Sequence, residues 1–135
     1  MFGSKKGSKP QSRIDSLIGA GTRLEGNVFF SGGLRIDGEV KGNLEAMKDQ
    51  PSTLVISEHA RVEGLICVAH LVINGTVIGP VQASETLELH PNARVTGDVE
   101  YNRLEMQQGA VVEGRLVHKN DVKAAVELKL ASSSN

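Results

Sequence analysis

Aromatic residues are scarce in this chain: its 135 residues include no Trp, one Tyr and three Phe, or 3% of the total. Any core must therefore be built from aliphatic side chains. The chain also has a single cysteine, Cys67, which excludes an internal disulfide. No apolar run reaches the roughly 18 to 20 residues of a membrane-spanning helix, and no apolar secretory leader stands at the amino terminus. We expect a cytoplasmic protein.

An excess of charge of either sign is also missing. The formal net charge is −1, so the chain lacks the basic footprint of a nucleic-acid-binding protein, and we predict no nucleic-acid partner. Glycine, in contrast, is abundant: the chain contains 15 glycines, which exceeds the usual share of about 7%. Because glycine favours tight corners over long helices, this composition disfavours a helical bundle.

A repeat fills the middle of the chain. In each copy, aliphatic residues stand at every second position and a glycine follows, as in Val62 before Gly64 and Val95 before Gly97. Period-two alternation interrupted by glycine is typical of short β-strands, whereas a helix would need apolar residues three and four apart. The segments that align without gaps are 53–69, 86–102 and 103–119, and a second matching pair is 34–46 and 71–83.

The length of the repeat, about 17 residues, suits a solenoid. Such a winding divides into three strands of five or six residues with alternate side chains inward, and successive windings pair in parallel about 4.8 Å apart. We predict an all-β, three-sided parallel β-helix of about six windings over residues 21–118, with an inserted corner at 47–52. Residues 1–20 and 119–135 are predicted to be disordered tails because they are rich in polar and small residues.

The ends of such a rod have a functional consequence. Each winding contacts only its neighbours, so the first and last windings each lack one neighbour. A free parallel edge and an exposed slice of core template another molecule, and we therefore predict end-to-end self-assembly into a homopolymer. The residues predicted to form the two ends are Leu24, Val28 and Phe30 at one end and Val112 and Leu116 at the other.

Three outward positions are apolar where sister repeats have charged residues. They are Leu65, Val72 and Ile78, which align with Asp98, Arg35 and Lys41. We interpret them as a stripe for lateral bundling or for a partner. Single exposed aliphatic residues are also normal on protein surfaces, so this alternative stays open.

Nothing in the sequence indicates a catalytic or cofactor site. The four histidines do not share a repeat position, and convergent metal ligands would need a common face, so we predict exposed or edge histidines and no metal. Cys67 is predicted to point outward beside the Glu100 and Val117 positions. No nucleophile elbow or phosphate-binding glycine loop is present. We predict a protein that is not an enzyme and needs no cofactor.

The run IGAGTRLEGNVFFSGGLRIDGEVKGNLEA, followed by ARVEG and INGTVIGPVQA, resembles the bactofilins, a family of bacterial polymer-forming cytoskeletal proteins. The resemblance covers residues 18–118. It implies a right-handed β-helix and nucleotide-independent assembly into non-polar filaments through contacts between like ends. It also implies a scaffold that positions cell-wall enzymes at the cell envelope and so influences cell shape or polarity.

The amino-terminal MFGSKKGSK resembles a membrane-targeting stretch found in that family. Lys5, Lys6 and Lys9 would each contribute about 1 kcal/mol at an anionic leaflet, and Phe2 would bury its ring at the interface. We therefore expect membrane lipid as a partner and a location at the inner face of the cytoplasmic membrane. The alternative is a merely solvated tail.

Two other functions fit a β-solenoid. Left-handed β-helix acyltransferases also use about 18 residues per winding, and fold alone does not decide function. Those enzymes have regular hexapeptide repeats, whereas this sequence alternates in twos. The other alternative is a monomeric adaptor whose carboxyl tail caps the rod.

Overall fold

The computed structural model describes residues 13–119, and every element with assigned bounds in this range is a β-strand. The strands are β1 (Ser16–Ile18), β2 (Arg23–Glu25), β3 (Val28–Phe30), β4 (Gly32–Ile36), β5 (Glu39–Lys41), β6 (Leu44–Ala46), β7 (Ser52–Ile56), β8 (Arg61–Glu63), β9 (Ile66–Ile73), β10 (Thr76–Ile78), β11 (Val81–Leu89), β12 (Arg94–Thr96), β13 (Val99–Tyr101), β14 (Arg103–Met106), β15 (Val111–Glu113) and β16 (Leu116–His118).

The strands form three columns, and each winding adds one strand segment to each column. The second column is a six-stranded sheet of β2, β5, β8, β10, β12 and β15. The first column begins with β1, β4 and β7, and the third begins with β3 and β6; these two columns merge into one ten-stranded sheet because β9 and β11 run through both. All pairings are parallel. The predicted all-β parallel solenoid of about six turns is confirmed.

The register confirms that the two sets of repeats interleave. In the first column, Leu34 pairs with Leu54 and Leu54 with Leu71. Leu71 then pairs with Leu87, and Leu87 with Leu104. The windings therefore differ in length although their strands match, and the longest in this column contains the inserted corner between β6 and β7. Length variation falls at corners because the inward alternation must stay in step on the strands.

The core is a single narrow column of aliphatic side chains. Leu54, Leu71 and Leu87 are fully buried in it. Every buried hydrophobic residue in the described part of the chain is aliphatic except Phe30. Alternation explains this arrangement, since every second residue of each strand points inward and stacks on its equivalent one winding away.

Glycine forms a column of its own at the corner between the second and third columns. At Gly64, φ is 146°, and a Cβ atom would overlap the carbonyl oxygen of Gly42 one winding earlier. A side chain is therefore excluded both by the backbone conformation and by the close stacking of windings. The members of this glycine column are Gly26, Gly42, Gly64, Gly79, Gly97 and Gly114, all with positive φ.

The first strand starts at Ser16, which lies within the segment predicted as the amino-terminal tail. Ser16 pairs with Leu34 and Ile18 with Ile36. Just before it, the Asp15 N–H donates to the Gly33 carbonyl (2.8 Å), and the Asp15 carboxylate accepts from the Gly33 N–H (2.9 Å). The inward residues of this strand are only Ser16 and Ile18, which is too short an alternation to mark a strand in the sequence.

Candidate functional site

The two ends of the rod differ from its middle in how well the core is covered. In the third column, Leu44, Ile66 and Val99 are fully buried. Leu116 occupies the same inward position in the last winding, paired with Val99, yet it is 42% exposed. The sequence pattern is the same along the column, and within residues 13–119 the difference is that no strand pairs with β16 on its other side.

The carboxyl-terminal end presents an apolar slice of core. Leu104 and Val112 are half-buried there and pack against the core cluster, while Met106 is 43% exposed. The structure thus places the predicted end residues Val112 and Leu116 in this last winding. Met106 was missed as an end residue, although its alignment with Leu89 shows that it belongs to an inward column.

The amino-terminal end presents a smaller apolar slice. Leu24 and Val28 are half-buried and point inward, paired with Val40 and Leu44. The third predicted residue, Phe30, is only 8% exposed. Phe30 lies beside Ala46, whose small side chain leaves room for the ring. Phe30 is therefore part of the core of the first winding as well as of the end.

Two outward residues of the first winding are the most exposed large hydrophobic residues in the described range. Phe29 is 66% exposed and Leu17 is 59% exposed. Both occupy outward slots that are polar in the next winding, since Phe29 pairs with Glu45 and Leu17 with Arg35. The predicted set of end residues did not include them, but the alternation of Val28, Phe29 and Phe30 places Phe29 outward.

Among residues 13–119, no strand pairs with the outer edge of the first winding. Val28 donates its N–H to the Asn43 carbonyl, and the Phe30 carbonyl accepts from the Met47 N–H, both at 2.8 Å. These groups point to the second winding. Because the direction alternates along a strand, the N–H and C=O of Phe29 point away from it, towards the end of the rod. The end is thus a strand edge as well as an apolar slice.

Charges alternate on the outer surface of the second column. Arg61 and Glu63 form an ion pair (2.8 Å), and the pKa of Glu63 is lowered by the hydrogen bond from Arg61 and by the charges of Arg61, Lys41 and Arg23. Opposite charges therefore adjoin both along a strand and across windings, which favours the observed register. The three pairs are Arg23 with Glu25, Glu39 with Lys41, and Arg61 with Glu63.

Two of the three predicted lateral residues lie together, and the third lies apart from them. Ile78 lies on the second column, and its carbonyl accepts from the Gly64 N–H (2.9 Å), next to Leu65 at the corner. Leu65 and Ile78 are thus neighbours on adjacent windings. Val72 lies on β9 in the first column, where it pairs with Val55. All four side chains are half-buried.

One histidine departs from the prediction of exposed or edge positions. His70 is 3% exposed, and its Nδ1 lies 2.8 Å from the Thr86 hydroxyl. It occupies the start of the first column between Thr53 and Thr86, where threonine partners accommodate a buried ring. Burial lowers the pKa of His70. In the described part of the chain no three His, Cys, Asp or Glu residues are grouped to hold a metal ion.

Cys67 points outward as predicted and is aligned with Gln82, whose pairing continues to Glu100 and Val117. Its Sγ lies 3.4 Å from the Gln82 Oε1. Burial, with the charge of Glu45, raises the pKa of the thiol. A protonated thiol is a poor nucleophile at neutral pH.

The predicted membrane-binding residues Phe2, Lys5, Lys6 and Lys9 lie outside the described residues. Between residues 13 and 119, no helical segment has the length and apolarity that a membrane crossing requires.

Comparison with known proteins gives one family. The family described as Bactofilin, polymer-forming cytoskeletal, matches residues 16–117. The chain is 26% identical to bactofilin BacP of Myxococcus xanthus over 106 residues, which are 78% of this chain and 42% of BacP. It is 29% identical to bactofilin BacO of the same organism over 102 residues, or 76% of this chain and 78% of BacO. No solved structure matches.

Proposed function

Given that the chain belongs to the bactofilin family of polymer-forming cytoskeletal proteins, we propose that it assembles end to end into non-polar filaments without nucleotide. The observation that carries this proposal is the exposure of Leu116, whose equivalents in the middle windings are fully buried. Covering such a slice with a second copy removes apolar surface from water, which is favourable by about 25 cal/mol per Å².

The same geometry supports assembly without nucleotide. Both ends already present inward aliphatic side chains, and the first winding presents free backbone groups at its edge. Joining two ends therefore needs no chemical step to create the binding surface. The contact gives the end winding a second neighbour with matching inward residues, as every internal winding already has.

Electron microscopy and sedimentation of the purified protein test this function. We expect filaments for the wild type and none for Leu116→Glu, because the charge would be buried at each carboxyl-terminal junction. Val111→Glu is the matched control: Val111 is also in the last winding and 41% exposed, but it points outward beside Arg94. We expect that control to form filaments.

Both variants should retain the circular dichroism of the wild-type β-solenoid. A wild-type protein that sediments as a compact monomer at micromolar concentration would contradict the proposal. So would filaments of unchanged length from Leu116→Glu, because the end slice would then not be the joint.

We further propose that the protein is a non-catalytic scaffold. The carboxylates whose pKa values depart from normal are held as anions: hydrogen bonds from Gly33 and Arg115 lower the pKa values of Asp15 and Asp98. The pKa of Cys67 is raised instead, which favours the protonated thiol. These shifts stabilise the resting protonation states, whereas acid–base catalysis needs groups poised near neutral pH.

The membrane is the proposed location of the filament. The tail carries Lys5, Lys6 and Lys9 together with Phe2, and many weak anchors on one polymer bind far more strongly than one. We propose that the filament lies on the inner face of the cytoplasmic membrane and positions cell-wall enzymes there. Deleting residues 1–9 should leave filaments intact but prevent their co-sedimentation with anionic vesicles, with Lys5→Gln, Lys6→Gln, Lys9→Gln as the charge-only comparison. Unchanged co-sedimentation would exclude the anchor.

Leu65 and Ile78 are the proposed lateral contact, since they adjoin on neighbouring windings. Val72, together with its neighbour Val55 on the first column, would form a separate lateral contact. Leu65→Glu should abolish bundles in micrographs while single filaments persist, and Val72→Glu should leave those bundles unchanged. Bundling that survives Leu65→Glu would remove this surface from consideration.

A further inference from the structure

We propose that the amino-terminal ends of two copies join about a two-fold axis that passes through Leu24, with β2 of each copy pairing antiparallel to β2 of the other. The proposal rests on the filament assembly proposed above and names the surfaces that meet at one of its junctions. The partner is a second copy of this chain, presented by the same end.

The backbone of β2 has its free groups in the right places. The Glu39 N–H donates to the Thr22 carbonyl, and the Gly26 N–H donates to the Lys41 carbonyl, both at 2.9 Å. Since direction alternates along the strand, Leu24 also faces the second winding, whereas the N–H and C=O groups of Arg23 and Glu25 face the open end. An antiparallel partner centred on Leu24 would bring Arg23 of one copy and Glu25 of the other into a hydrogen-bonded pair.

Charge selects this register. Three antiparallel registers keep inward residues opposite inward residues. One of them sets Arg23 against itself and another sets Glu25 against itself, so each places like charges side by side. Only the register centred on Leu24 pairs Arg23 with Glu25 of the second copy, and it does so twice. That arrangement extends across the junction the alternation of charges already present between the first three windings.

The same axis matches the other two columns. It places β1 of one copy against β3 of the other, because the two strands flank β2 in the first winding. Ile18 then lies opposite Val28, and Leu17 lies opposite Phe29. Leu17 and Phe29 are the two most exposed large hydrophobic residues in residues 13–119, and each would cover the other. Further along, the small Ser16 lies opposite the large Phe30.

Other ways of joining this end match less well. An axis through either neighbouring column sets the charges of Arg23 and Glu25 against apolar Leu17 or Phe29. A head-to-tail joint that continues the columns would place Glu25 on Glu113 and Leu17 on Glu105. The first pairs like charges, which is unfavourable, and the second leaves the exposed Leu17 without an apolar neighbour across the junction.

A single cysteine at the axis tests the geometry. In a Cys67→Ser background, Leu24→Cys would face itself across the two-fold axis in a non-hydrogen-bonded pair. The Cα–Cα separation in such pairs, about 4.5 Å, lies within the range that a disulfide spans. We expect mild oxidation of filaments to convert most of the protein to a covalent dimer. The matched control is Val40→Cys, which lies in the same column one winding inside and should stay monomeric on a non-reducing gel.

A charge exchange tests the pairing by sedimentation. Arg23→Glu should raise the concentration needed for polymer by at least several fold, because it places two pairs of like charges at each junction. Adding Glu25→Arg should restore much of the assembly. Position 23 of one copy would then be acidic and position 25 of the other basic, so opposite charges would again face each other across the junction. The double exchange Arg61→Glu with Glu63→Arg is the matched control. It places the same like charges beside Glu39 and Lys41 but lies away from the end, so it should leave the polymer concentration near that of wild type.

The outcomes separate this inference from the function on which it rests. Filaments without a Leu24→Cys dimer, or a double exchange no better than Arg23→Glu alone, would overturn the two-fold junction and leave end-to-end assembly standing. If Glu25→Arg alone improved assembly, the head-to-tail contact with Glu113 would be favoured instead. Absence of filaments from the wild type would overturn both.

Discussion

The middle and end windings of this solenoid carry almost the same sequence pattern and have different physical environments. Leu71 in a middle winding is fully buried. Leu104 lies in the same column but in the last winding, and it is half-buried. Both are leucines at inward positions of paired strands. The repeat therefore specifies a stack of windings and not the number of windings in it. An end winding is a middle winding with a neighbour on one side only, and that difference leaves inward aliphatic side chains such as Leu116 exposed.

Substitutions in the glycine column should have the largest effect, and that effect should differ between a middle winding and an end winding. Gly64→Ala should unfold the rod or cost several kcal/mol, because the added Cβ would overlap the Gly42 carbonyl and φ is 146°. Gly26→Ala meets open space at a φ of 137°, so its cost should be limited to backbone strain of about 1–3 kcal/mol. Thermal unfolding followed by circular dichroism measures both. Equal losses would show that stacking of windings does not decide the cost.

Cavities made in the leucine column should also cost more in a middle winding than in an end winding. Leu71→Ala should destabilise the fold by about 2–5 kcal/mol, as is typical of large-to-small changes in a core. Leu104→Ala, a change of the same chemistry at an end, should cost less than half as much in dilute protein. Denaturant unfolding gives both free energies. If polymerisation covers Leu104, the difference should narrow as the protein concentration is raised, and a constant difference would argue against a covered end.

Titration of His70 is expected to have the smallest effect. Burial lowers the pKa of His70 in the fold below the usual value near 6.5, so the unfolded chain binds the proton more readily. The stability that depends on neutral His70 is therefore fully present above about pH 6.5. It is lost as the pH is lowered from there towards the pKa of His70 in the folded protein. His70→Gln should flatten the dependence of the melting temperature between pH 7 and 5. If the melting temperatures of the wild type and the variant changed equally with pH, the change would come from other groups.

The carboxylates act in a separate pH range. Hydrogen bonds lower the pKa values of Asp15 and Asp98, so their contribution is present above their unfolded values near 4 and is lost only in stronger acid.

The class of fold and the repeats follow from the order of the amino acids alone. Alternation at every second residue and glycine at fixed places allow parallel strands and tight corners and little else, so the stack of Leu54, Leu87 and Leu104 was predictable. The charged residues of β2 and β8 can be read directly from the sequence. Their alternation across windings was not, because neighbours in a solenoid lie some 15 to 22 residues apart and the corners vary in length.

Which of the equivalent residues are covered depends on contacts between windings. Phe30 and Phe29 are adjacent, yet one is buried beside Ala46 and the other is the most exposed large hydrophobic residue of residues 13–119. His70 became a core residue because threonines stack on both sides of it. Burial depends on what lies on the next winding. A local pattern specifies the direction of a side chain, whereas its contacts come from residues a full turn away.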